Sequence, residues 1–360
     1  MAVSKKAKAL YNAVFDGIEI FAANKISNYQ ERRDLRKYFP KKPMPKSYAK
    51  EYKKYWSRWA KVSPKWGWYY AARNGIEDVR YIPHTLYYTI IDQKLNARKL
   101  GWGFNDKNYY SKIFADIKQP QTIIRSFSSD IFTDSEYNQI TIEEAYKEII
   151  KNTEVICKPT QESGSGRGIE FWNCEKDADK IWSYLKDKSN SNYIVQKIIK
   201  QHSLYNEIHS SSVNTIRICS ILLCDGVHIL SSVLRMGVDK SRVDNATAGG
   251  ISCGIDENGC LKEYAYSFYS GEKTAVHPQG FVFKGVKLPY YDKAVELVKK
   301  AHPVIGNFKL VSWDICIDEK GDAVLIEANM RKGAANLQQF ANGPLFGDLT
   351  ERIMDEVYGK

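Results

Sequence analysis

Hydrophobic and polar positions follow two rhythms along this chain. Short runs dense in β-branched and aromatic residues predict strands: QTIIRSF (121–127), EVICK (154–158), GIEFW (168–172), YIVQKII (193–199), NTIRICSILL (214–223), HILSSVL (228–234), GGISCGI (249–255), LVSWDICI (310–317) and AVLIEAN (323–329). Other stretches repeat apolar residues every three or four positions and predict helices: TIEEAYKEIIKN (141–152), DADKIWSYLKDK (177–188) and PYYDKAVELVKKAH (289–302). A further helix is expected over 82–98, opening after Pro83. Strands and helices alternate from about residue 106, the pattern of an α+β chain. No internal repeat or low-complexity linker interrupts it.

The N-terminal region has a different texture. ERRDLRKYFPKKPMPKSYAKEYKKYWSRWAKVSPKWGWYY (31–70) is basic, aromatic and helical, and Pro40, Pro43 and Pro45 split it into two helical pieces. Residues 1–70 carry 17 Lys+Arg against 5 Asp+Glu, and the rest of the chain 36 against 37, so the whole basic excess is N-terminal. Such a face suits anionic lipid headgroups or a lipid-linked glycan at the inner membrane face. The competing expectation is a solvated basic face whose aromatics pack on the main body. No nucleic-acid-binding motif is present, so nucleic acid is not the expected partner.

Composition narrows the remaining classes. With 43% apolar and 26% charged residues the chain reads as an ordinary folded protein. No apolar run approaches the ~18 residues of a membrane span, and Asp16 and Glu19 interrupt any signal-peptide core. A cytoplasmic location is expected. The 7 cysteines are scattered singly, without a CxxC pair, and read as small buried hydrophobes. The 6 histidines show no metal-ligand spacing.

The most informative stretch is LVSWDICIDEKGDAVLIEANMRKG (310–333). A two-residue turn at Lys320-Gly321 pairs Glu319 with Asp322. Carried back, that register sets Asp314 opposite Glu327, Ser312 opposite Asn329 and Cys316 opposite Leu325. Trp313, Ile315, Ile317, Val324, Ile326 and Ala328 then share the other face, which is wholly apolar and must be core. Opposed residues sit about 5 Å apart at Cβ, where like charges repel. A bound cation removes that cost, and oxygen donors in this number suit Mg²⁺. The competing expectation is a solvent-facing edge where the two acids merely coexist.

A second element is EVICKPTQESGSGRGIEFW (154–172). A strand ends at Lys158. Ser163, Gly164, Ser165, Gly166, Arg167 and Gly168 then lead into another strand, where backbone N–H groups are free to approach phosphate oxygens. A loop running from strand into strand is neither a Walker A loop nor a dinucleotide fingerprint, both of which run into a helix. It reads as a flap over a nucleotide, against the plainer alternative of a hairpin turn.

These two elements, in this order, resemble the ATP-grasp superfamily. Its D-alanine–D-alanine ligase-like members place a first ATP lysine after an Asp at a helix start, matched by Asp106-Lys107. Their second lysine ends the strand before the glycine loop, matched by Lys158. A hinge strand for adenine follows, matched by Gln196, Lys197 and Ile198. The metal signature D…E-x-N is matched by Asp314, Glu327 and Asn329. VNTIRI, VLRMGVDKSRVDNATAGGISCGID, HPQG and EANMRKGAANLQQF look most like the sugar-transfer-associated ATP-grasp family, over roughly 105–350.

The resemblance implies an α+β ATP-grasp fold in which two subdomains grip ATP. On this division 1–104 is the basic aromatic helical region, 105–200 the subdomain with the glycine-rich flap and 201–360 the subdomain with the metal site. It implies an ATP- and Mg²⁺-dependent carboxylate–amine ligase acting through an acyl phosphate, on substrates near surface polysaccharide. Ser312 stands where these ligases place an arginine that steadies the transferring phosphoryl group, and Arg217 and Arg235 are the expected substitutes. Asn245, Gly249 and Gly250 are expected on the acceptor side, against a tight turn made by the glycines. Alternatives are a kinase for a sugar hydroxyl, a non-catalytic nucleotide- or glycan-binding module, and an RNA-binding protein led by the basic N-terminus.

Overall fold

The computed structural model describes residues 37, 39–161, 166–245, 249–268, 271–331, 333 and 335–360. Two antiparallel sheets organise the chain. The first has strand order β3-β2-β1-β6-β4-β5. Its strands are β1 (Thr122–Phe127), β2 (Ile131–Thr133), β3 (Gln139–Ile140), β4 (Glu154–Pro159), β5 (Glu170–Asn173) and β6 (Tyr193–Lys197). The second runs β11-β10-β9-β8-β7-β12-β13. It is built from β7 (Thr215–Leu223), β8 (Gly226–Met236), β9 (Ile251–Ile255), β10 (Leu261–Ser267), β11 (Lys273–Thr274), β12 (Leu310–Ile317) and β13 (Ala323–Asn329). The two- and three-residue strands, together with β10, are additions to the sequence expectation, as are the helices Ala335–Asn342 and Thr350–Tyr358.

The first sheet buries one face under two helices. Side chains alternate across a strand, so Val155 and Cys157 of β4 join Trp172 and Val195 against Ala145 and Ile149 of helix Ile142–Ile150 and Ile181 and Leu185 of helix Ala178–Lys186. The first of these helices begins with a capping box, Thr141 and Glu144 satisfying each other's backbone N–H groups. Ile156 and Lys158 consequently point the other way, into the space between the sheets.

The second sheet is covered on both faces. Ile216, Ile218, Trp313, Ile315 and Ile317 pack against Ala294, Leu297 and Val298 of helix Tyr291–Ala301. The opposite face meets the N-terminal region. Tyr52, Trp56, Trp66, Trp68 and Tyr70 pack into one cluster with Cys219, Ile221 and Leu310. They come from helices Lys46–Trp56 and Lys65–Asn74, the two pieces expected around the prolines. Their polar edges are satisfied as they go under: Trp56 Nε1 donates to Val79 O at 2.8 Å, Trp59 Nε1 to Asp355 at 2.7 Å and Tyr52 Oη to Tyr81 O at 2.7 Å. The aromatics of 48–70 thus pack on the main body. Residues 1–36 and 38 lie outside the described residues. Among the described residues no helix is long and apolar enough to cross a membrane.

The helix expected over 82–98 forms as His84–Leu86, a π-turn at Tyr87–Ile91 and a last turn Asp92–Leu95. Among the cysteines, Cys157, Cys174, Cys219, Cys253 and Cys316 are buried and none is bridged.

The β12–β13 hairpin corrects the expected turn. Asp318, not Glu319, pairs with Asp322, its N–H donating to Asp322 O at 3.0 Å, while Asp318 Oδ1 accepts the N–H groups of Lys320 and Asp322. Gly321 takes φ 79°, which a Cβ would strain. The longer turn shifts the register by one, giving Cys316↔Val324 and Ile315↔Leu325 rather than Cys316↔Leu325. A bulge between Asp314 and Ile315 then restores the expected pairs Asp314↔Glu327 and Ser312↔Asn329. Leu325 therefore enters the core with Ile315, and Ile326, expected there, lines the cavity instead.

Candidate active site

Between the sheets lies a cavity of about 1170 Å³. Ile156, Lys158, Phe171 and Gln196 line it from the first sheet, and Thr215, Arg217, Arg235, Asp314 and Glu327 from the second. The segment after β6 joins the two: Lys200 O accepts Glu319 N at 2.8 Å and His202 N donates to Ile317 O at 2.9 Å, so it adds to the end of β12. Gln196, Lys197 and Ile198 line the cavity along this crossing. Gln196 Nε2 reaches Pro120 O and Thr122 Oγ1 at 3.4 and 3.3 Å, while its Oε1 is buried without a hydrogen-bond partner.

Lys107 follows Asp106, whose carboxylate caps the turn by accepting Asn108 N at 2.9 Å. Its backbone N–H donates to Thr160 O at 3.1 Å, tying it to the end of β4. Its ammonium crosses to the second sheet and meets Glu327 Oε1 at 2.7 Å. Lys158 is buried beside it. Burial, and then the neighbouring Lys107 charge, push its pKa down to about 7.

Asp314 is buried and Glu327 half-buried, and both are cation-paired. Arg217, directly across from Asp314 on β7, grips it with both branches, Nε to Oδ1 at 2.7 Å and Nη2 to Oδ2 at 2.5 Å. Arg235 Nη1 adds a contact to Oδ2 at 3.0 Å, and Asn329 Nδ2 stands 3.4 Å from the same oxygen. Burial raises the Asp314 carboxyl, but the two guanidinium groups outweigh it and hold it below the usual carboxylate range. For Glu327 burial again raises, and Lys107 does most of the lowering that leaves it below its ordinary value. The two arginines expected to replace the missing one at Ser312 thus both converge on Asp314.

Ser163, Gly164 and Ser165 lie outside the described residues. β4 and β5 pair antiparallel, the strand-to-strand arrangement expected of the flap, and Gly166 and Gly168 take φ of 74° and 73°. Arg167 lines the cavity. A Cβ on Gly166 would lie 2.5 Å from Asn245 Nδ2, so the flap rests on the 238–245 loop of the second sheet. Arg242 of that loop reaches back, 3.5 Å from Glu154 and 4.0 Å from the Phe171 ring centroid. Asn245 lines the cavity and accepts from Arg235 Nη2 at 2.8 Å. Gly249 and Gly250 do not line it; Gly250 N donates to Asn245 O at 3.1 Å.

The sequence reading passed over Thr215, Asp244 and Arg242. Asp244 pairs with Thr215 Oγ1 and lies 3.2 Å from Arg235 Nη2. It lies in the family-like stretch VLRMGVDKSRVDNATAGGISCGID, one residue before Asn245. Among the described residues no cluster of three or more His, Cys, Asp or Glu forms a metal cage. The available donors are the two carboxylates and the Asn329 amide.

The sequence model of the sugar-transfer associated ATP-grasp family matches residues 89–354, nearly three quarters of the chain. The chain belongs to the sugar-transfer associated ATP-grasp family. The two gripping sheets are accordingly those of the ATP-grasp fold. No curated protein matches this ATP-grasp chain by sequence. Among solved structures it is similar to the ATP-grasp ligase PsnB complexed with minimal precursor, at 13% identity and TM-score 0.43, over 73% of this chain and 64% of that one. It is also similar to the D-alanine–D-alanine ligase of Bacillus anthracis, at 14% identity and TM-score 0.39, over 71% and 66%. The chain spans under two thirds of the length of each.

Proposed function

We propose that this protein is an ATP- and Mg²⁺-dependent ligase that activates a carboxylate as its acyl phosphate and joins it to an amine. The observation that carries the reading is the Asp314–Glu327 pair, set across adjacent strands and sharing one cavity with Lys107 and Lys158. Two opposed carboxylates, each already shared with a basic side chain, can take a metal cation as a further partner, and two buried lysines favour anions. Magnesium and the phosphates of ATP supply both at once.

The donor set fits the ion. Mg²⁺ takes one or two carboxylates and completes its shell with water and substrate phosphates. Asp314 Oδ1 accepts from Arg217 Nε, leaving a lone pair there, and Glu327 meets Lys107 through Oε1. Asp314, Glu327 and Asn329 would hold the metal, which when bound neutralises charge on the β- and γ-phosphate oxygens. The rest falls to the chain. Lys107, Lys158 and the flap amides hold the phosphates. The Gln196 Oε1 suits a purine amino group, with Lys197 and Ile198 beside it. Arg217 and Arg235 steady the transferring phosphoryl group while the carboxylate attacks in line. Closure of the flap onto the 238–245 loop keeps water from the acyl phosphate.

The family's association with sugar transfer supports a glycan substrate. We assign one partner as a uronic acid or amino sugar of a surface polysaccharide precursor, and the other as an amino acid or simple amine. The test is a screen for ADP release over carboxylate and amine mixtures, with mass spectrometry of the products. Phosphate released only when an amine is present, with an amide product, supports the ligase. A phosphorylated sugar without free phosphate assigns a kinase instead, and no turnover with any mixture leaves a nucleotide-binding module.

A further inference from the structure

Asp244 is a third carboxylate on the cavity wall, its side chain 11% exposed, and the nucleotide chemistry leaves it without a task. Its two partners, Thr215 and Arg235, face each other across β7 and β8. The same Arg235 reaches Asp314 through its other terminal nitrogen, at 3.0 Å. Read across the sheet from β13 to β8, the charges run Lys107 and Glu327, then Asp314, then the two arginines, then Asp244. Lys107 and Lys158 mark the phosphate end. Asp244 therefore stands at the far end, one guanidinium beyond Asp314.

The backbone that presents it is rigidly seated. A Cβ on Gly250 would come within 2.4 Å of Asp244 O, and one on Gly237 within 2.9 Å of Val243 O. Ser241 Oγ ties the preceding turn by donating to Val243 O at 2.7 Å. A carboxylate offers about four acceptor sites, so Thr215 and Arg235 leave Asp244 able to take a further donor. Burial raises its carboxyl above the ordinary range, with Arg235 pulling against it.

We propose that Asp244 receives the acceptor: it binds the incoming ammonium and takes its first proton, which selects a cationic amine over a hydroxyl nucleophile. This rests on the ligase reading above. The freed nitrogen lone pair forms the C–N bond to the acyl carbon, and the C–O bond to phosphate breaks with its electron pair leaving on phosphate. The second N–H proton goes to that phosphate. An acyl phosphate, an ammonium and a carboxylate thus become an amide, hydrogen phosphate and a protonated Asp244.

Hydroxylamine is neutral near pH 7 and attacks acyl phosphates without such a base, so it separates the two half-reactions. The experiment measures hydroxamate formation from ATP, Mg²⁺ and the carboxylate set with hydroxylamine, beside amide formation with primary amines, in wild type, Asp244→Asn and Thr215→Val. General-base catalysis is worth on the order of 100-fold or more. The amine-to-hydroxylamine ratio is expected to fall by about that factor in D244N and by less in T215V, and to recover partly in Asp244→Glu. T215V keeps Arg235 in place and serves if D244N does not fold. An unchanged ratio in both variants overturns the assignment of Asp244 while leaving the ligase standing. A wild type that forms no hydroxamate overturns the ligase reading, and the assignment with it.

Discussion

The two acids at the heart of the site are balanced by basic neighbours, and that balance sets what single substitutions do. Removing one member of a buried ion pair costs about 3–5 kcal/mol, because the partner is left uncompensated. Asp314→Ala strands Arg217 and leaves Arg235 only Asp244, and is expected to lower stability by about that amount, read by calorimetric or denaturant unfolding. Lys158 behaves differently, since its folded pKa of about 7 lies below the ordinary lysine value of 10.5. Between these values the unfolded chain binds the proton that the folded chain lacks. This group's contribution to stability therefore rises with pH through that window, its destabilising effect being full below about 7. Phosphates favour the protonated form, so ATP binding takes up a proton above pH 7. Affinity is expected to weaken by up to about tenfold per pH unit there. Titration calorimetry in buffers of different ionisation enthalpy detects the uptake, and Lys158→Met should abolish it.

At the scale of elements, the packing of the N-terminal helices is the most sensitive feature. A Cβ on Gly67 would lie 2.4 Å from both Tyr48 Oη and a Tyr52 ring carbon. Both rings are buried, so they have little room to yield. Gly67→Ala is expected to cost about 1–3 kcal/mol by overpacking, visible as a lower Tm. Much of the element order was legible in the sequence because long periodic runs dominate it. The strands β2, β3 and β11 were not, being two or three residues long and defined by their partners. In the hairpin, the pairing at Asp314 was reached through a turn that is one residue longer than expected, offset by a bulge nothing in the residues announces. The face of Ile326 was lost for that reason. Lys107, Lys158 and the acids were legible as motif residues. Asp244 and Arg242 gain their roles only through contacts with Arg235 and with the flap, which no local pattern encodes.

For the molecule as a whole, the charge pairs mean that the fold does not depend on metal. Arg217, Arg235 and Lys107 already neutralise the two acids. Chelation with EDTA is expected to abolish ADP formation while shifting the Tm by no more than about a degree, in contrast to metal-dependent domains. The N-terminal aromatics have a related part, closing the second sheet's outer face so that its charged end opens on the cavity. The crossing segment Ile198–His202 continues a strand of one sheet, yet its hydrogen bonds belong to the hairpin of the other. Rotation of the first sheet would pivot on that segment. Gln196 and Lys158 lie on paired strands of that sheet and would swing together, so the purine wall and the phosphate clasp would close on a nucleotide in one movement.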